Sequence, residues 1–260
     1  SQRQTEQFGQ SIRVSLQAIT VQQERMVSQT AKSSALFARF ASVTASALSI
    51  HQVINYADSW TELQNRLKLV TESSVELNKA TQAVYDIAQK TYQSLDATAQ
   101  VYQRFADNAD RLGLSQQKVA ELTETVSKAV AISGASATAA QAALTQFGQA
   151  LASGQLRGEE LNSVMEQTPA LAKAIADGMN VSVGELRKKA QDGEMTIEKV
   201  IQALERAADS VDKKFATSVT TVSQGFTNLQ SAMTKFIGEA NQGTGATQLF
   251  TTGMTTLADN

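Results

Sequence analysis

Cysteine is absent from the 260 residues, proline and histidine occur once each, and aromatic side chains make up only 5%. Without cysteine there can be no disulfide, no thiolate nucleophile and no cysteine-based metal site. A single histidine, His51, cannot build a histidine metal site alone, so acid–base chemistry near neutral pH would fall to tuned carboxylates or lysines. One proline and 14 glycines leave few turn formers in a chain dominated by Ala, Gln, Ser, Thr, Leu and Val, which favours helices. The shortage of aromatics points to slender helix packing, since aromatics supply much of the buried area per residue.

No excess of either charge is present: 23 Lys+Arg oppose 25 Asp+Glu, a net charge of −2. That balance argues against a chain that works by neutralising phosphates. No long hydrophobic run occurs either. Residues 35–54 come closest to a membrane span, but Arg39 and His51 leave 11 uncharged residues between them, against the roughly 20 apolar residues a crossing needs. The start shows no basic segment followed by an apolar one and a cleavage site, so a secretory signal is not indicated and the chain reads as soluble.

What is present reads as all-α: a long N-terminal helix or helices followed by a compact multi-helix bundle. Residues 1–55 carry five basic and two acidic groups and form a helical segment with coiled-coil spacing. On a 4-3 repeat, Ile12, Leu16, Ile19, Met26, Phe37 and Phe40 mark a seam for self-association, with Gln23, Thr30 and Ser33 in its middle. An amphipathic helix lying on the rest of the chain, or a segment disordered in isolation, fits the same pattern.

Residues 56–240 form the folded helical domain. Ser73 with Glu76, and Ser182 with Glu185, have capping-box spacing, and Ser94 and Ser115 can cap further helices. Behind these caps run apolar stripes: Leu77, Ala80, Val84 and Ile87; Leu95, Tyr102, Phe105, Ala109 and Leu112; Val119, Leu122, Val126 and Val130; and Ile197, Val200, Ile201, Leu204, Val211 and Phe215. An alanine-rich helix over 137–152 allows close helix approach. Gly113 supplies a left-handed stop, and helices end near Ser133 and Gly134 and at Ser153 and Gly154. Thr168 before Pro169 reads as a cap with proline at the first helical position. The Thr- and Ser-rich run 216–223 is a helix break or a strained continuation. A last amphipathic helix presents Phe226, Leu229, Met233, Phe236 and Ile237 on one face, and the chain loosens from Gly238, so that 241–260 is a flexible tail or the start of a linker.

Catalytic and cofactor motifs are missing. Glu159 and Glu160, Asp107 and Asp110, and Glu194 and Glu198 are carboxylates at the spacing of solvated helix faces, with no aromatic-lined segment beside them. No phosphate loop, dinucleotide fingerprint, zincin helix or EF-hand loop can be matched. The expectation is therefore no enzyme, no cofactor and no metal. One segment, 170–190, imitates a helix-turn-helix DNA reader, with Arg187, Lys188 and Lys189 as its basic group, although Glu185 and Asp192 flank them.

The same region carries a family resemblance. Leu156-Arg157-Gly158-Glu159-Glu160-Leu161-Asn162-Ser163, Glu166-Gln167-Thr168-Pro169-Ala170-Leu171, Val181-Ser182-Val183-Gly184-Glu185-Leu186-Arg187 and Asp192-Gly193-Glu194-Met195-Thr196 resemble, in order and spacing, the N-terminal domain of bacteriophage tail tape measure proteins. The likeness extends from Tyr56-Ala57-Asp58 through Tyr102-Gln103-Arg104-Phe105 to Val200-Ile201 and Ala203-Leu204. Gly158 departs from it, standing where a small or polar helix former is expected.

The resemblance implies a structural part of a virion or prophage tail, around which tube subunits polymerise and whose length sets tail length. It implies the tail tube protein, tail assembly chaperones and tail tip or baseplate proteins as partners, a homo-oligomer, residence in the virion tail, and assembly in the host bacterial cytoplasm. An alternative is a membrane-interacting helical module, through 35–54 or the alanine-rich helix, acting in genome delivery during infection only; nucleic acid is not an expected partner of this segment. A ruler built of helix advances about 1.5 Å per residue, so the punctuated stretch 56–240 reads as the ruler's folded N-terminal module. The capping boxes and glycines can serve the fold alone. If they also frame an interface, Arg157, Glu159, Glu160, Arg187, Lys188 and Lys189 are its candidate residues, because mixed charges set partner and register more than affinity.

Overall fold

A computed structural model describes residues 50–244, in which eleven helices follow one another. They are α1 (Ile50–Lys68), α2 (Ser74–Thr91), α3 (Leu95–Ala106), α4 (Ala109–Leu112), α5 (Gln116–Ile132), α6 (Ala137–Ser153), α7 (Gly158–Gln167), α8 (Pro169–Met179), α9 (Val183–Gln191), α10 (Ile197–Ala216) and α11 (Val222–Thr244). Among the described residues the only extended pairing is one antiparallel bridge between Gln155 and Thr196. The all-α expectation holds. The seam residues Ile12, Leu16, Ile19, Met26, Phe37 and Phe40 lie outside the described residues, as does most of the 35–54 segment. The chain divides into two compact units: Glu62–Ala232, and a smaller one whose described parts are 50–61 and 233–244.

In the larger unit α5 is the central post, packed against α2, α3, α6, α8 and α10. Its exclusion from water follows from its sequence: Val119, Leu122, Val126, Ala129 and Val130 recur at helical spacing and all are buried. The closest helix association is α8 with α10, and Gly178 explains it. A Cβ on Gly178 would stand 1.9 Å from the carbonyl oxygen of Ala203, so the two backbones meet where there is no side chain. Aromatics fill little of this interior. Tyr102, Phe105 and Phe147 are fully buried, with the two phenylalanine rings edge to face at 6.3 Å, and mainly leucine, alanine, valine and isoleucine fill the rest.

Most expected helix ends form. Ser73, Ser94, Ser115, Ser136 and Ser182 each accept a backbone N–H from three residues on, and Gly113, Gly134 and Gly154 are left-handed. Four details differ. At Ser73 the box is half made, because the Glu76 carboxylate accepts from the N–H of Glu72 instead of Ser73. The Leu95 stripe does not run unbroken to Leu112; α3 ends at Ala106 and the short α4 follows after a turn. Thr168 is fully buried and does not cap α8; its hydroxyl donates back to the Val164 carbonyl at 3.0 Å. The N–H of Ala170 is instead accepted by Ser133 Oγ at 3.1 Å, from the end of α5.

The fourth difference lies in the smaller unit. The helix does not loosen at Gly238 but continues to Thr244. Gly238 is buried, and a Cβ there would stand 2.0 Å from the Cγ of Trp60, whose side chain is also buried. Glycine here permits close approach to a large ring and does not end the helix.

Candidate partner-binding surface

The strand-like bridge at Gln155 and Thr196 brings the two ends of the most punctuated stretch together. Leu156 donates to the Met195 carbonyl at 2.8 Å, and Ile197 donates to the Gly154 carbonyl at 3.2 Å. Between these ends, α7, α8 and α9 fold on one another. Helix α7 begins at Gly158 behind an extended Arg157 whose side chain makes no cap. Glu159 and Glu160 fill its first turn, where carboxylates favour the positive end of the helix dipole. The departure at Gly158 has a local reason: a Cβ there would lie 3.1 Å from the Gln191 side chain, so the glycine seats the start of α7 on the end of α9.

Helix α9 opens with a complete capping box. The N–H of Glu185 donates to Ser182 Oγ at 3.2 Å, and the N–H of Ser182 donates to the Glu185 carboxylate at 2.7 Å. Those bonds from the Ser182 backbone and hydroxyl hold the Glu185 carboxyl below its ordinary range. Leu186 and Ala190 turn inward, which leaves Arg187 and Lys188 exposed. Lys189 is half-buried and paired with Glu194 at 3.0 Å, and that partner bond keeps the Glu194 carboxyl low. Arg187 leans across to α7, with Nη2 3.8 Å from the sulfur of Met165. Arg157, Gly158, Glu159, Glu160, Asn162 and Gln191 line a shallow, open recess beside it. Both triplets of charged residues therefore lie on, or just ahead of, the paired helices α7 and α9: Arg157 and Glu159 exposed, Glu160 half-buried.

The other carboxylate pairs are not brought together as acid–base sites. Asp107 pairs with Arg104 at 3.3 Å, Glu198 pairs with Arg111 across to α4, and Glu194 is held by Lys189. The Glu198 carboxyl is kept low first by its own backbone N–H and then by Arg111. Among the described residues no group of three His, Asp or Glu could hold a metal, and no helix is long and apolar enough to cross a membrane. His51 falls in α1, but its side chain is outside the described residues. Helices α8 and α9 are joined by residues 180–182, with Asn180 left-handed.

One charged cluster escaped the sequence reading. Lys128 on α5, with only 7% of its side chain exposed, bonds Glu124 at 2.5 Å and Asp212 of α10 at 2.7 Å, and sits 6.0 Å from the centre of the Phe215 ring. Lys90 of α2 also reaches Glu124, at 2.5 Å. Burial alone would raise the Glu124 carboxyl, but bonds from Lys128 and Lys90 outweigh it and hold the group below its ordinary range. The i,i+4 spacing of Glu124 and Lys128 was visible; their position on the inner half of a helix touched by five others was not.

The fold and this surface define an all-helical module with mixed charges on two short neighbouring helices and no assembled reaction centre among the described residues. The sequence matches the tape measure protein family over residues 51–242, and the chain belongs to that family of phage tail structural proteins. No curated protein and no solved structure matches it. The family is structural and not enzymatic, and it belongs to the virion tail.

Proposed function

We propose that this chain is the folded assembly module of its tape measure protein, helping to nucleate tail-tube assembly by protein–protein contact, with tail length set by the extended parts of the ruler. The observation that carries the reading is the family match over a region whose punctuated helices turn back on one another, so that it cannot itself advance at 1.5 Å per residue as a rod. Partners are the tail tube protein, tail assembly chaperones and tail tip or baseplate proteins, met during assembly in the host cytoplasm. Arg157, Glu159, Glu160, Arg187, Lys188 and Lys189 form the partner-binding face, and the 4-3 seam from Ile12 to Phe40 holds copies of the module together. The module catalyses no reaction and takes no cofactor.

Charge reversal of Arg187 and Lys188 to Glu, placed in the parent gene, tests this. Both side chains are exposed, so folding is unaffected and co-purification with tube protein or chaperone is lost. Fewer tails form, and those that form keep their length. Normal tail numbers with intact co-purification would remove these residues from the interface, and tails of altered length would make the segment part of the ruler. A DNA-contacting role for α8 and α9 would show instead as binding that falls steeply with salt.

A further inference from the structure

Helices α8 and α10 meet backbone to backbone at Gly178, and to one side of that crossing they enclose a groove. Straight helices diverge away from a crossing point, and the side chains that would fill the widening gap are small: Ala170 and Ala174 from α8, Ala207 and Ser210 from α10. Ile132 at the end of α5 and Val211 complete an apolar floor, above which a cavity of about 300 Å³ is left. That is the lower end of the ligand-pocket range, with room for one or two side chains and not for a helix.

The rim is charged, and unevenly so. The Asp177 carboxylate accepts from Lys173 at 2.8 Å and stands 3.8 Å from the Lys214 ammonium. Two ammonium groups thus share one carboxylate, and Lys214 lies beyond hydrogen-bond distance from it. Of the residues lining the groove these three are the charged ones, so two lysines less one aspartate leave a net +1. Asp209 and Asp212 of α10 lie about 150° round the helix from the middle of the lining, and Asp212 is already bonded to Lys128 at 2.7 Å.

This imbalance selects what can cover the groove. A wholly apolar segment would strip water from two ammonium groups with one carboxylate between them and leave a positive charge dry and unpaired. A basic segment would add like charge. An apolar side chain accompanied by a carboxylate fills the floor and balances the rim, exchanging hydration for charge-assisted hydrogen bonds.

We propose that the α8–α10 groove docks a short acidic and apolar peptide segment of a partner protein, with an apolar side chain over Ala174 and Ala207 and its carboxylate on Lys214 and Lys173. The groove shares no residue with the charged face of α7 and α9, and it stands whether or not that face binds a partner.

Two fluorescent probes test the chemistry in the full chain: anilinonaphthalene sulfonate, apolar and anionic, and phenylnaphthylamine, its uncharged counterpart. The sulfonate binds in the groove. Lys214→Gln weakens its binding roughly fivefold or more and leaves that of the uncharged probe unchanged. Ser210→Trp, which plugs the groove from an exposed position, removes the sulfonate site with helicity by circular dichroism unchanged. No sulfonate binding, or loss of both probes alike with Lys214→Gln, would overturn the proposal. So would sulfonate binding that survives Ser210→Trp, as it would at Phe226 and Leu229 on α11, which are 67% and 37% exposed. Carbodiimide coupling, which joins a lysine amine to a carboxylate in direct contact with loss of water, then identifies the source in purified tail assembly intermediates. The expected product links Lys214 or Lys173 to an Asp or Glu of another protein, beside a large apolar residue, and is lost with Ser210→Trp. Coupling to Asp177 alone, to another part of this chain or to a fatty acid would overturn the proposal.

Discussion

Replacing Gly178 with alanine adds one methyl group at the α8–α10 crossing, and its cost can be worked from the geometry. The new Cβ would stand 1.9 Å from the Ala203 carbonyl oxygen, 2.6 Å from its carbon and 2.9 Å from its Cα, all backbone atoms that cannot rotate away. To reach ordinary contact the helices must part by more than an ångström, and even a gap of 0.5–1 Å forfeits about a quarter to a half of each dispersion contact across it. If some 50 atom contacts worth about 0.15 kcal/mol each span the crossing, the loss is about 2–4 kcal/mol. Alanine is the better helix former by about 0.5–1 kcal/mol, which offsets part of this. The net expectation is destabilisation of about 2 kcal/mol, within the usual range for overpacking. Gly225→Ala is the matched control: it is helical, and a Cβ there meets nothing within 4 Å, so the same substitution gains about 0.5–1 kcal/mol. Denaturant unfolding followed by far-ultraviolet circular dichroism gives both values. A Gly178→Ala protein as stable as the parent, or more so, would refute the account of how α8 and α10 meet.

The remaining expectations concern hydrogen bonds and charge. Lys128→Met leaves Glu124 with Lys90 and changes stability by less than about 1 kcal/mol, whereas Glu124→Ala strips a partner from a buried ammonium and costs about 1–2 kcal/mol; chemical denaturation of both variants checks the asymmetry. Because the Glu124 carboxyl is held low in the fold, its contribution is complete above the ordinary glutamate pKa and is lost as the pH falls through the depressed value. Stability therefore declines below about pH 4.5, and Glu124→Gln flattens that decline in acid unfolding curves. Ser133→Ala removes the remote cap of α8 and costs about 1 kcal/mol, read from thermal unfolding. Ser182→Ala costs a similar amount and raises amide exchange in the first turn of α9 without disturbing α10.

The helices and their inward faces were legible because local rules sufficed: serines three residues ahead of a free N–H, glycines at left-handed ends, and stripes such as Val119 to Val130. What could not be read were choices made by distant residues. Thr168 has the chemistry of a cap, yet its hydroxyl is spent on Val164 and the capping atom comes from Ser133, on another helix. Gly238 has the same local signature whether it ends a helix or admits Trp60. Phe226 and Leu229 share a face, as periodicity says, but periodicity names a stripe without saying whether the stripe or its opposite is buried. The charged residues of α7 and α9 were individually plain; their meeting depends on Gly158 seating one helix on the other.

The bridge between Gln155 and Thr196 has an entropic meaning as well as a geometric one. Bringing those two residues together closes a long loop, and the entropy of that closure is lost once, growing only slowly with loop length. With the bridge made, α7, α8 and α9 lie within one closed ring. Because α8 also packs on α5 and α10, the ring cannot open alone: freeing it means parting the bridge bonds of Leu156 and Ile197 and the α8–α10 crossing together.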